Sequence, residues 1–162
     1  ASAEPNTVRG ALWWMMGSAA DATWTRVAWL GASIATAGAA LLYWAREIDI
    51  LALGEETAAS LGVDAERAGK RIFLIAALLA AATVAAAGLI GFVGLVVPHI
   101  ARHLGLRSHR PLIVAASLIG ATLVVAADLA ARTLAAPTEL PLGAITALLG
   151  VPFFLVQLRR AA

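Results

Sequence analysis

The sequence predicts an all-α fold: a polytopic helical membrane protein with about five transmembrane helices, one of them short and broken. Three observations lead there. Of 162 residues, 61% are hydrophobic and only 14% charged, where a soluble domain carries ~45–50% and ~25%. The mean hydropathy is +0.86. The charges are gathered into a few short stretches between long apolar runs, so the chain has too little polar surface to coat a water-soluble globule.

The elements follow in order. Near the start, Trp13, Trp14, Met15 and Met16 precede Gly17 and Ser18, and Trp24 follows. Clustered tryptophans mark a membrane–water interface or pack against lipid. The first residues, Ala1 to Asn6, lack the basic stretch and apolar run of a signal peptide and read as the interior of a longer protein. The first span covers 27–45 without a charged residue, and its small residues Gly31, Ala35, Gly38 and Ala39 would let helices approach closely. Arg46, Glu47 and Asp49 end it. Residues 46–71 then form the longest polar connection, with Glu55, Glu56, Asp64, Glu66, Arg67, Lys70 and Arg71. Within it Thr57 to Leu61 reads as a short helix stopped by Gly62.

The second span covers 72–90. Gly88, Gly91 and Gly94 at every third residue, followed by Pro98 and His99, argue against one long helix. The pattern predicts a break near 90–94 and a short returning helix over 94–104. Broken backbone at membrane depth needs cover from protein or a water-filled cavity, which points to a transport path. A basic loop with Arg107, His109 and Arg110 leads to a span over 112–134, with Asp128 and Arg132 near its far end. Pro137 to Pro141 is a turn, and the last span covers 142–158 before Arg159 and Arg160.

Charge sets the orientation. With the first span running inwards, Arg46, Arg67, Lys70, Arg71, Arg102, Arg107, Arg110, Arg159 and Arg160 are cytoplasmic, nine of the twelve basic side chains. Arg9, Arg26 and Arg132 are left outside. The net charge of +2 is therefore topology under the positive-inside rule, not a nucleic-acid surface. The absence of cysteine excludes a disulfide framework, a thiol nucleophile and a cysteine metal site. No Gly-rich phosphate loop is present, so ATP hydrolysis would belong to a partner. His99 and His103 stand four residues apart, but no acidic or third ligand accompanies them, so no metal site is read. A histidine bonded to a carbonyl freed by the break is the plainer account.

Several segments resemble one family. Leu51-Ala-Leu-Gly-Glu55-Glu-Thr-Ala-Ala-Ser-Leu-Gly62-Val is similar to the cytoplasmic loop of permeases that import iron–siderophore complexes, heme and vitamin B12, the FecCD-like permeases of ATP-binding-cassette (ABC) importers. Gly88-Leu-Ile-Gly-Phe-Val-Gly-Leu-Val-Val-Pro-His99-Ile-Ala-Arg102 resembles the most recognisable stretch of that family. Ser108-His-Arg110, Ala127-Asp128-Leu-Ala-Ala-Arg132 and Glu139-Leu-Pro-Leu-Gly143-Ala-Ile-Thr146-Ala-Leu-Leu-Gly150-Val-Pro-Phe153 follow in the family's order. Family subunits have ten membrane helices, so the resemblance implies that the chain is the carboxy-terminal half, 1–162, of such a permease.

The resemblance also implies roles. Leu53, Gly54, Glu55, Glu56, Ala59, Leu61 and Gly62 would dock on a cytoplasmic ATPase and couple it to the membrane domain; a solvated loop is the alternative. Arg132 would receive a glutamate of a binding protein, with Asp128 beside it; the alternative is a local pair, since Asp128 lies four residues earlier. Glu139 would assist, or cap the helix starting near Leu142. Gly88, Gly91, Gly94, Pro98 and His99 would shape the break and the pathway. The implied partners are a second permease copy, two ATPase subunits carrying ATP and magnesium, a periplasmic or lipid-anchored substrate-binding protein, and membrane lipid, with no cofactor on this chain. The implied place is the bacterial cytoplasmic (inner) membrane, and the implied cargo a ferric siderophore, then heme, then cobalamin. An ion-coupled carrier, which needs ionisable residues near the midplane, and a non-transporting scaffold are the competing readings.

Overall fold

The computed structural model describes residues 16–18, 22–134 and 140–161, all helical or connecting. Helix α1 is Trp24–Tyr43. Thr23 caps it by accepting from the Arg26 amide at 3.3 Å. The Ser33 and Thr36 hydroxyls donate to the Trp29 and Ala32 carbonyls, so these two polar groups are satisfied within the helix. No residue of α1 is buried within the chain. A Cβ at Gly31 or Gly38 would meet nothing within 4 Å, so among the described residues nothing packs closely on these two glycines.

The expected polar loop over 46–71 is mostly helix. The backbone bends at Trp44 and resumes as α2, Ala45–Leu51, followed by α3, Glu55–Ser60. Residues 65–71 are already the first turns of α4, Ala65–Ala87. The charges mark outward faces instead of irregular chain: Lys70 pairs with Glu66 four residues before it. Asp64 caps α4, accepting from the Arg67 amide at 3.0 Å. The short helix predicted from Thr57 starts two residues earlier, where Glu55 and Glu56 meet the positive end of the helix dipole. It closes as expected at Gly62. The Gly62 amide donates to Ala59 and the Val63 amide to Ala58, the paired bonds of a Schellman cap.

Gly88 ends α4 with φ +73°, and α5 is Val93–His103. The break therefore lies at 88–92, close to the position predicted. Gly94 and Pro98 lie inside α5, within the short helix expected over 94–104. A proline there forgoes one i→i−4 bond without ending so short a helix. Helix α6 is His109–Thr133 and α7 is Leu142–Ala161. His109, read as loop, is the first residue of α6.

Among the described residues three helices are long and apolar enough to cross a membrane: α1, α4 and α6. The apolar part of α7, Leu142–Gln157, is shorter. The 11 residues of α5 reach only ~16 Å, about half of a hydrocarbon core. The expected five spans are thus three long helices, one shorter apolar helix and one half-helix. Packing follows the chain order in part: α5 lies on α6 and α7, α1 on α4, and α6 on α7, while α2 bridges α4 and α6. The interior is small: Ala127, Ala131, Leu142 and Ile145 form its main cluster, with Ile90 against them.

Candidate functional site

Two poles carry the polar chemistry, joined by the rod of α6. At the first pole stand α2, α3 and the starts of α4 and α6. Of the predicted coupling residues, Gly54, with φ +101°, and Gly62, with φ +78°, bracket α3, and these left-handed conformations favour glycine. Glu55, Glu56, Ala59 and Leu61 are exposed on or beside α3. Ala58, on the opposite side of α3, is fully buried. Leu53 lies in the preceding turn, not on the helix, and is 64% exposed; Leu61 is 58% exposed. The element is a short helix held by two glycine turns, offering two carboxylates and two leucines outwards.

Its support was not visible in the sequence. Arg71 on α4 donates to Glu47 on α2 at 3.0 Å and lies 5.3 Å over the Trp44 ring. On the other side of α2, Asp49 accepts from the His109 amide at 2.8 Å, and its Oδ1 is 2.6 Å from the ring Nδ1. Burial pushes the Asp49 carboxyl up. The hydrogen bonds from the His109 ring and amide, with the charge of that ring, outweigh it and leave the carboxyl below its ordinary value. A cleft of about 630 Å³ between Glu47, Val63, Arg67, Lys70 and Arg71 lies beside α3.

At the opposite pole Arg132 and Asp128 form the local pair read as the alternative to docking, with Nε to Oδ2 at 2.8 Å and a second contact at 3.4 Å. Both side chains are partly exposed, so the pair faces outwards while Ala127 and Ala131 of the same helix are buried. Glu139 and the turn around Pro137 lie outside the described residues, as do Trp13, Trp14 and Arg9.

Between the poles lies the break. Val93 and Val97 lie near Gly120, midway along α6, while Ile90 packs on Ala127 and Ala131 nearer the Arg132 end, so the non-helical 88–92 backbone descends from that end towards the middle of α6. Chain segment 16–18 covers it. Ser18 donates to the Ala87 carbonyl, and the Leu142 and Gly143 amides donate to Gly17 and Met16. Gly143 is required by this contact: a Cβ there would stand 2.5 Å from the Met16 carbonyl oxygen. Gly91 belongs to the break, as predicted. His99 does not find the carbonyl expected for it. Its Nε2 is buried without a hydrogen-bond partner, and its ring meets His103 and Phe153 edge-on. Among the described residues no three metal-ligating side chains converge.

The family model of the FecCD transport family matches residues 1–160. The chain belongs to that family. As a FecCD chain it is 43% identical over 152 residues to a cobalamin import system permease of Halobacterium salinarum, covering 94% of this chain and 41% of the relative. It is 44% identical over 142 residues to a hemin transport system permease of Yersinia pestis, covering 88% and 42%. An iron(3+)-hydroxamate import permease of Bacillus subtilis is 37% identical over 158 residues, covering 98% and 47%. One solved structure, an inward-facing conformation of a chain assigned to the metal-chelate type of ABC transporter, superposes with a TM-score of 0.91 at 31% identity, over 98% of this FecCD chain and 51% of that one. The chain spans less than half the length of these curated relatives. Family and fold together make it a multi-pass helical membrane protein.

Proposed function

We propose that the chain is part of the permease of an ATP-driven importer that carries an iron chelate across the cytoplasmic membrane. A ferric siderophore ranks first, heme second and cobalamin third. The observation that carries this reading is α3: a capped helix between two spans whose charged and apolar side chains point outwards, in a chain of the FecCD family. ATP-driven closure of two ATPase subunits has to push on something stiff, and a short helix bracketed by fixed turns supplies it. ATP and magnesium then belong to the partner, and this chain is a gated passage without catalytic groups of its own. At the far pole Arg132 offers a planar fork to a carboxylate of a substrate-binding protein, with Asp128 holding it. A second permease copy completes the passage, and Gly88, Gly91 and the half-helix α5 line its interior.

An ion-coupled carrier fits less well. The charges of α4 and α6 stand near the ends, at Glu66 to Arg71, Arg110, Asp128 and Arg132, and none sits where a coupling ion is held. The test uses the full-length permease with its ATPase and binding protein. The three should co-purify, and loaded binding protein should stimulate ATP hydrolysis. A permease that moves a chelate down an ion gradient with no ATPase bound would overturn the reading.

A further inference from the structure

Helix α6 is not capped by its own sequence. Ser108 occupies the N-cap position, yet its side chain makes no capping bond. The first amide is taken instead by Asp49, a carboxylate from α2 and 60 residues away in sequence. The same oxygen holds the His109 ring. The pair is only 20% and 35% exposed, so it is screened less than a surface pair. On its other side α2 is tied to α4 through Glu47, Arg71 and Trp44. The coupling helix α3 leaves α2 through the 52–54 turn and enters α4 through Asp64. It therefore hangs from a strut fixed to two membrane helices. One of them, α6, runs its 25 residues, about 37 Å, to the Asp128–Arg132 pair.

We propose that Asp49 and His109 form a latch that stays closed through the transport cycle and makes α2 and α6 one rigid body, so that displacement of α3 is delivered along α6 to the opposite face. This rests on the importer reading. Asp49 and His109 act here as positioning residues: they touch neither cargo nor ATP. Without the latch α3 would still dock on an ATPase, but its movement would be taken up in the α2–α6 contact.

The experiment uses the full-length permease, free of other cysteines, in complex with its ATPase and binding protein. If the unaltered complex shows no stimulated hydrolysis, the importer reading fails and the latch is not at issue. In a working complex, Asp49→Ala should leave assembly and basal ATP hydrolysis intact while transport per ATP falls about fivefold or more, the range of a typical coupling energy. Asp49→Asn, which can still accept from the His109 amide, should recover part of it. Asp49→Cys combined with His109→Cys separates a latch from a mere packing contact. Reduced, the double variant should behave like Asp49→Ala. Oxidised, the disulfide replaces the latch and transport per ATP should return to within about twofold of the unaltered complex. Oxidation that stops transport, with recovery on reduction, shows that the pair must open in each cycle and overturns the proposal. So does an Asp49→Ala complex with unchanged transport per ATP.

Discussion

Phe92 and Gly150 fit only because one of them lacks a side chain: a Cβ at Gly150 would stand 2.2 Å from the Cβ of Phe92. Among the described residues Phe92 is the non-glycine residue at positive φ, +65°. A left-handed phenylalanine is strained, and such a conformation persists where surrounding structure over-determines it. The Gly150 notch in α7 and the bonds from the Val96 and Leu95 amides to the Phe92 carbonyl do so. The break is thus fixed by a ring seated against a neighbouring helix as well as by glycines.

Gly150→Ala should therefore destabilise the fold by about 1–3 kcal/mol, the cost of overpacking a closed contact. The clashing atoms are the Cβ and Cγ of Phe92, next to the backbone, and cannot swing away. Thermal unfolding in detergent measures the loss. Phe92→Gly removes those atoms and the strain together, so the double variant should recover most of the stability lost by Gly150→Ala. Equal losses with and without Phe92 would mean that the clash lies elsewhere.

Asp49 gives a pH dependence of known sign. Its carboxyl in the folded chain lies below the 3.8 of an unperturbed aspartate. Its contribution to stability is therefore fully present above that value and is lost as pH falls through the folded value. Protection of the first α6 amides from hydrogen exchange should weaken on acidification below 3.8. In Asp49→Asn that acid limb should be absent, because no carboxylate remains to be protonated. A limb of equal size in the variant would assign it to another group.

Much of this architecture was legible in the residues. Uninterrupted apolar runs gave the long helices, and Gly88 with Gly91 gave the break, because an apolar stretch dense in glycine does not stay helical. Gly62 gave α3 its carboxy-terminal end, while its start, read at Thr57, lies two residues earlier at Glu55. The rest depended on contacts between distant segments. Pro98 fell inside the short helix read over 94–104, and so short a half-helix tolerates its one missing bond. The charges between Arg46 and Arg71 looked like loop, while several sit on helices and pair, Lys70 with Glu66 within α4 and Arg71 with Glu47 across α4 and α2. Asp49 as a cap for a helix 60 residues away leaves no local pattern. Phe92 was hidden because the left-handed residue of a turn is usually the glycine next to it.

The coupling role of α3 predicts a charge effect. Replacing Glu55 and Glu56 together by Lys in the full-length permease should weaken ATPase association and reduce transport, while membrane insertion is unchanged. Both side chains are exposed and support α3 only through its dipole, at about 0.3–1 kcal/mol each, so the helix survives and the surface changes sign. Pull-down with the ATPase and uptake in vesicles read the two effects. Normal assembly and normal uptake in the double variant would make α3 a solvated connection.

Arg132 tests the opposite pole. The local pair with Asp128 is an i,i+4 contact near a helix end, partly exposed on both sides, and such pairs contribute only a few tenths of a kcal/mol. Loss of that pair alone should hardly affect the fold. Docking of a partner carboxylate in a desolvated interface is a different matter. Arg132→Glu would set like charges against each other there and beside Asp128, at a cost of about 2–5 kcal/mol in binding. Affinity of the binding protein for the full-length complex should therefore fall by at least tenfold, with ATPase assembly unchanged, since α3 lies at the other end of α6. Charge reversal on the binding protein, with its docking glutamate changed to Arg, should restore affinity for the Arg132→Glu permease and for no other surface variant. Affinity that is unchanged by Arg132→Glu at low salt as well as high would leave Arg132 without a docking role.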